Sequence, residues 1–350
     1  MRTSPEPPWG LIADDLSGAC DSAVAFAAHG FSACVALNGS ELPSAGSDLV
    51  GYSTETREAQ DDEAAETVAA ACRLFRQAQI PILFKKIDST LRGPYVAELR
   101  ALMRELGITH AVLNPAFPEQ GRVVERGEVF VVGPEGDRRS VARITELANV
   151  ALPDACSREA LDGIVKRVFE ETGLPLICGS GGIALSVAAL LAQTLGQSRT
   201  AQPKPEALSG STVLFIGTDH PVTEAQVLHL RNSGLVDHVP LESIDAVAGK
   251  RPALVCVDWS APLRLQPLGE AIRSGRYGAL ILSGGSTART VLESLGAGKI
   301  DLCGQFGPGL PWGRIGGGLG DGKLVAIKSG GFGRGDTLEM ILRRFVPERN

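Results

Sequence analysis

Phe84-Lys85-Lys86-Ile87-Asp88-Ser89-Thr90-Leu91-Arg92-Gly93 joins an apolar run, Ile80 to Phe84, to a helical pattern. Val96, Leu99, Met103 and Leu106 recur at steps of three, four and three, the spacing of one helix face. The stretch therefore reads as strand, polar loop, helix. In an open α/β sheet, loops at the carboxyl ends of strands form the ligand crevice. Lys86 and Arg92 can hold an anion there, Arg92 through two parallel hydrogen bonds. Asp88 can accept a hydroxyl proton or orient a cation, and Ser89 and Thr90 add hydroxyls. The competing reading is a solvated turn with a local salt bridge, because charge-rich turns are common.

The 350 residues suffice for two or three domains of ordinary size. Hydrophobic residues at 44% and charged residues at 21% are globular proportions. A net charge of −6 argues against a nucleic-acid partner, which calls for a basic excess. The cysteines, at 20, 34, 72, 156, 178, 256 and 303, form no CxxC pair and suggest thiols in a reducing compartment. The five histidines show no metal-ligand spacing, so no protein-held metal is expected. Met1 to Gly10 carries three prolines and no apolar core, unlike a signal peptide. No apolar run approaches the ~20 residues of a membrane helix. The expectation is a soluble cytoplasmic protein with no membrane partner.

Upstream, Leu11-Ile12-Ala13 is a short strand that runs into Asp14-Asp15-Leu16-Ser17-Gly18-Ala19-Cys20-Asp21 and an alanine-rich helix. One N-cap serves a helix start, so Asp14, Asp15 and Asp21 cannot all be caps; Ser17 is the expected cap. A carboxylate here can act as general base toward a sugar hydroxyl or bind Mg2+. A strand near Asp48 to Tyr52 leads to Arg57, which can meet a substrate carboxylate or pair with Glu55 or Asp61. Downstream, Ala111 to Leu113 leads into the rigid loop Asn114 to Arg122, and Val129 to Val132 is a short strand. A helix from 157 to 172 and a strand into Gly179-Ser180-Gly181-Gly182 follow. Strands alternating with helices imply βαβ units: an α/β protein with mostly parallel sheets.

Gly196 to Ser211 is polar, holds two prolines and has no periodicity. The expected division is a domain at 1–196, a linker at 197–211 and a second α/β domain at 212–350. In the second half, Gly217-Thr218-Asp219-His220-Pro221 and Ser283-Gly284-Gly285-Ser286-Thr287 each follow a strand and open a helix. Lys328-Ser329-Gly330-Gly331-Phe332-Gly333 lies in a glycine-heavy tail. Such junctions offer backbone N–H groups to an anion, and several together suggest a nucleotide's phosphates. Neither the GxxxxGK[ST] loop nor the GxGxxG dinucleotide fingerprint is present, which disfavours an NAD enzyme.

These residues resemble a known family. Ile12-Ala13-Asp14-Asp15-Leu16-Ser17-Gly18-Ala19 with Asp21 looks like the opening IADDLTGA-x-D of the four-carbon acid sugar kinases. Lys85 to Gly93 is similar to their KKIDSTLRG motif throughout. Pro115 to Arg122 resembles PAFPEAGR, Gly179 to Ala184 resembles GSAGLA, and Ser283 to Ala288, Pro308 to Trp312 and Lys328 to Gly333 resemble the C-terminal nucleotide motifs. The match runs from about residue 11 to 340.

The resemblance implies an ATP-dependent kinase of C4 aldonic acids or 3-oxo-tetronates. Its active site would lie in the interdomain cleft, closing on binding to exclude water. By motif, the sugar acid would meet Asp14, Asp15, Asp21, Arg57, Lys86, Asp88, Ser89 and Arg92. Asp14 or Asp15 would orient or deprotonate the attacking hydroxyl. ATP would meet Thr218, Gly284, Gly285, Ser286, Gly330, Gly331, Phe332 and Gly333, with Mg2+ bridging its phosphates. A homodimer is compatible with such a chain.

The departures are Ser17 for a threonine, Asp219 and His220 in a loop that usually reads GSCSP, and several tens of residues missing between Val132 and Pro153. Two alternatives stay open: a kinase of another hydroxy acid, such as glycerate, and a non-catalytic sugar-acid- or nucleotide-binding paralogue.

Overall fold

The computed structural model describes residues 6–37, 42, 46–133, 135–172, 176–197, 203–205, 210–245, 251–257 and 264–346. It divides into two compact units, Met1–Ala201 and Gln202–Asn350. Most of 197–211, the expected linker, lies outside the described residues. Both units are α/β with mostly parallel strand pairing.

The first unit opens with β1 (Trp9–Ala13), α1 (Leu16–Ala27), β2 (Ala33–Ala36), β3 (Leu49–Ser53), α2 (Asp61–Gln77), β4 (Ile82–Lys86), α3 (Tyr95–Leu106) and β5 (Ala111–Asn114). It continues through β6 (Arg122–Glu125), β7 (Glu128–Val132), β8 (Arg138–Arg143), β9 (Val150–Ala151), α4 (Arg158–Thr172), β10 (Leu176–Gly179) and α5 (Gly181–Leu195). The parallel strands stand in the order β2-β3-β1-β4-β10-β5-β9. They are apolar runs because both faces are covered: Leu11, Ile12, Leu83, Phe84, Leu113 and Ile177 are all buried. Helix α2 buries Ala64, Val68, Ala71, Cys72 and Phe75, one stripe at helical spacing, and its first turn is acidic, as the macrodipole favours.

Two features of this sheet position the site. Ala13 is in register with Ser53 of β3 and Lys86 of β4, and Lys86 with Gly179 of β10, so four loops leave the sheet at one level. The chain also leaves β1 toward β2 on one side and β4 toward β5 on the other. The direction of winding therefore reverses between neighbours β1 and β4, where a doubly wound sheet opens its crevice. Outside this sheet, β6, β7 and β8 form an antiparallel sheet of their own, where only a lone strand at 129–132 was expected.

The second unit holds β11 (Ser211–Ile216), α6 (Pro221–Asn232), β12 (Asp237–His238), β13 (Ala253–Cys256), α7 (Gln266–Arg273), β14 (Tyr277–Ser283), α8 (Gly285–Ser294), β15 (Lys299–Gln305), β16 (Pro311–Gly316), β17 (Leu324–Lys328) and α9 (Thr337–Phe345). The order is β12-β13-β11-β14-β17-β16-β15, with β15 and β16 antiparallel to their neighbours. Leu214, Ile216, Leu254, Ile281 and Leu324 pack against Val227 and Leu230 of α6 and Leu338, Ile341, Leu342 and Phe345 of α9. Burying each such side chain is worth roughly 1.5–3 kcal/mol. Here too the winding reverses between neighbours, β11 and β14. The strand ends Ile216, Ser283 and Lys328 are in register across β11, β14 and β17.

Candidate active site

In the first unit three loops converge on one guanidinium. The Thr54 N–H donates to the Ala13 carbonyl at 2.8 Å, and the Thr56 and Arg57 N–H groups donate to the Asp14 carbonyl at 3.0 and 3.3 Å. These bonds stitch the β3 loop to the β1 loop. Arg57 then reaches across: Nε donates to Asp14 Oδ2 at 2.9 Å and Nη2 to Asp14 Oδ1 at 2.8 Å. Nη2 also donates to Asp15 Oδ1 at 2.7 Å, and Nη1 lies 3.8 Å from Asp88 Oδ1. Asp88 is held by its own loop, through Thr90 N–H at 3.0 Å, the Thr90 hydroxyl, and Arg92 Nε and Nη2 at 3.1 and 2.8 Å. Gly93, at φ +84°, ends the motif for a steric reason: a β-carbon there would lie 2.8 Å from the Arg57 carbonyl oxygen. Lys86 is buried, donates to the Ile87 carbonyl at 3.0 Å and abuts Asp15 across Gly18. Ser89 is buried in the same loop.

The carboxylates differ in what occupies them. Asp15, not Ser17, caps α1: it accepts from the Gly18 N–H at 2.9 Å and the Ser17 hydroxyl at 2.6 Å. Ser17 already lies inside the first turn, so its hydroxyl supports the cap instead of forming it. Burial acts to raise Asp15, but Arg57, Lys86, Ser17 and Gly18 together hold it below the ordinary carboxylate value. At Asp88 burial is likewise outweighed by Arg92, Arg57 and Thr90, which hold it well below that range. For Asp14 burial prevails over Arg57, and its pKa is raised. The three acids are thus driven apart, the pattern of a division of labour between base and anchors. Asp21, on α1, places its carboxylate against Gly181 in the first turn of α5, the helix that follows β10.

A buried network under this site was not read from the sequence. Lys85, on the opposite face of β4 from Lys86, is fully buried and pairs with Glu98 of α3 at 2.9 Å. Glu98 also accepts from the Thr56 hydroxyl, and Thr56 and Thr54 share a hydrogen bond at 2.7 Å. Glu98 lies on the buried face of α3, a position where an isolated acid is rare, and that is the signal that could have found it.

In the second unit the three glycine-bearing loops meet. A β-carbon on Gly330 would lie 2.7 Å from Thr218 Oγ1, one on Gly331 would lie 3.1 Å from His220 Nε2, and one on Gly284 would lie 3.6 Å from Thr218 Cβ. Gly284 stands at φ +107° and leaves the start of α8 without a side-chain cap. Gly285 and exposed Ser286 form the first turn of that helix. Among the described residues, the buried hydroxyls of Ser283 and Thr287 have no hydrogen-bond partner. Phe332 and Gly333 continue the third loop, whose Phe332 carbonyl accepts from Gln226 of α6 at 3.1 Å. Asp219 lines a cavity of about 470 Å3 together with Thr218, Glu224, Arg231 and Cys256. Uncapped N–H groups and unsatisfied hydroxyls at a switch point fit a phosphate-bearing ligand. Among the described residues no cluster of three His, Cys, Asp or Glu side chains could hold a metal ion, and no helix is long and apolar enough to cross a membrane.

Comparison with known proteins gives the chain a class. Residues 9–146 match the family model described as a sugar-binding N-terminal domain, and residues 265–338 match a nucleotide-binding C-terminal domain. The chain belongs to the four-carbon acid sugar kinase family. It is 26% identical to a D-threonate kinase of Bordetella bronchiseptica, over 95% of this chain and 96% of that one. It is 28% identical to a D-threonate kinase of Cupriavidus necator, over 93% and 95%. It is 26% identical to a 3-oxo-tetronate kinase of Pectobacterium atrosepticum, over 96% and 99%. These alignments run over more than 400 positions, more than this chain possesses, so gaps fall on its side. Two solved structures share the fold at 20% identity. A Haemophilus influenzae protein superposes with a TM-score of 0.68 over 96% of this chain and all of that one. A Salmonella typhimurium protein described as a tRNA synthase superposes with a TM-score of 0.73 over 98% and 100%.

Proposed function

We propose that this protein is an ATP-dependent kinase that phosphorylates a hydroxyl of a small C4-type sugar acid such as threonate, erythronate or 3-oxo-tetronate. The observation that carries this reading is the set gathered by Arg57: three carboxylates and the cations Lys86, Arg57 and Arg92 at the switch point of a sugar-binding unit. Phosphoryl transfer needs mainly positioning and charge neutralisation. Lys86 and Arg92 offer charge to the acid's carboxylate, and Arg57 holds the aspartates in place. Asp14 is the proton acceptor in this scheme: its raised pKa suits a base, and its acceptor capacity is the least used of the three. Asp15 is committed to capping α1 and Asp88 to its own loop. The N–H groups of Gly285, Ser286, Gly330 and Gly331, with Thr218, would hold the phosphates. Mg2+ bound to those phosphates would supply charge neutralisation, with the protein contributing few ligands of its own.

The test is an ADP-release assay with Mg-ATP across C3 to C6 sugar acids and their 3-oxo forms. Turnover with one C4 member supports the reading and names the substrate. Turnover only with a C3 acid would move the assignment to a different hydroxy-acid kinase. Silence across the panel in a protein that binds no ATP would defeat the kinase reading.

A further inference from the structure

Lys328 ends β17, immediately before the glycine-rich loop, and its side chain is fully buried. Its ammonium donates to the Thr223 hydroxyl at 2.9 Å, the Ser329 carbonyl at 2.9 Å and the Gly330 carbonyl at 3.1 Å. All three protons are used, yet none meets a carboxylate. The Thr223 hydroxyl in turn donates to the Gly330 carbonyl at 2.7 Å. Gln226, one turn along α6, donates to the carbonyls of Phe332 and Arg334 at 3.1 and 2.8 Å. The loop's carbonyls are thus drawn inward by donors from β17 and α6.

A trans peptide is planar, with its N–H opposite its C=O. When the Ser329 and Gly330 carbonyls turn toward Lys328, the N–H groups of Gly330 and Gly331 must turn away from it. Among the described residues, neither of those N–H groups has an acceptor. Two successive outward N–H groups form a nest for an anion. A buried amino group without a carboxylate partner among the described residues stands behind them, able to take a positive charge.

We propose that Lys328 is the positioning residue of the phosphate site: it sets the two peptides that face the nucleotide's phosphates and takes those phosphates as its missing counter-charge. This rests on the nucleotide reading of the second unit. Burial pushes Lys328 down to about 7. Burial is the cause of that shift; the charged and titratable groups around the loop are Asp219 and His220 before α6, Glu224 in its first turn, Arg334 in the loop and Asp336 before α9. A phosphate at the nest would favour the protonated form, so binding near pH 8 would draw a proton from solution.

The experiment titrates ADP into the full chain at pH 8 by calorimetry, in two buffers of different ionisation heat. Wild-type protein is expected to take up a proton on binding. Lys328→Met is expected to bind roughly 10- to 100-fold more weakly, as for loss of a charge-assisted contact, and to take up no proton. Lys328→Arg is expected to recover part of the affinity without the proton uptake, since arginine stays charged. Unchanged affinity and unchanged uptake in Lys328→Met would overturn the proposal. If Lys328→Met does not fold, Thr223→Val replaces it: several-fold weaker binding with uptake retained is expected, and unaltered affinity counts against the proposal. Wild-type protein that binds no ADP would sink the nucleotide reading, and this proposal with it.

Discussion

At Asp14 two opposing effects act on one carboxylate. Burial favours the neutral acid, and a bidentate arginine favours the anion. Burial prevails and raises Asp14, so with Asp14 as the base the acid limb of activity should lie higher than for an ordinary aspartate. The sign follows: the base works ionised, so kcat should fall as pH falls through that raised value. Asp14→Asn should lose about 10²–10⁴ in kcat and abolish the limb. An acid limb that persists in Asp14→Asn would remove Asp14 from the role of base. Lys85 and Glu98 pose a different question, since they lie beneath the site and join it through Thr56. Glu98→Ala strands a fully buried ammonium and should cost about 3–5 kcal/mol in chemical unfolding, whereas Lys85→Met with Glu98→Leu should cost far less. Equal losses in the single and double variants would show that packing, not the pair, is what matters. The chemistry of the KKIDSTLRG stretch was legible in the sequence because its residues are consecutive. The Lys85–Glu98 pair and the Lys328–Thr223 contact were not, because each joins residues that only burial and long-range folding bring together.

Among the elements, the helix starts beside the two candidate sites are each prepared differently. Helix α1 spends Asp15 on its cap, and α5 places Ser180 as its cap with Asp21 against its first turn. Helix α8 begins at a glycine with no side-chain cap, which leaves its first N–H groups for a ligand. Gly284 at φ +107° occupies backbone space that side chains rarely enter, and a β-carbon there would stand 3.1 Å from the Thr287 hydroxyl. Gly284→Ala should therefore cost about 1–3 kcal/mol and weaken ADP binding, with little change in sugar-acid affinity. Thermal unfolding with ADP titration checks this, and wild-type values for both would refute it. The parallel βαβ pattern was legible because its apolar runs and helix stripes are strong periodic signals. The antiparallel strands β15 and β16 were hidden by the glycine density around them. Yet β15 alternates buried and half-buried residues along its length, a period of two that marks a strand with one covered face. Ser17 was misjudged as a cap because hydroxyl and carboxylate are equally good caps by type, and the choice rests on which residue precedes the first turn.

At the scale of the whole molecule the same device occurs twice. Each unit winds its parallel strands in two directions from a pair of neighbours, β1 and β4 in the first, β11 and β14 in the second, and each places its function-capable loops at that reversal. The first unit's loops carry charge, and the second unit's carry glycines and hydroxyls. If one serves the sugar acid and the other the nucleotide, single substitutions should separate the two affinities. Arg92→Ala removes two hydrogen bonds to Asp88 and a largely exposed cation from the charged set. It should weaken sugar-acid binding by about 10- to 100-fold and leave ATP binding within about twofold, because the lost interaction is charge-assisted and local. Gly331→Val adds a side chain whose β-carbon alone would stand 3.1 Å from His220 Nε2, crowding the nest. It should weaken ATP binding by a similar factor and spare the sugar acid. Measured by calorimetry with each ligand alone, the two variants should give opposite profiles. Loss of both ligands in either folded variant would mean that the charged loops and the glycine loops serve one undivided site, and the assignment of one ligand to each unit would have to be abandoned.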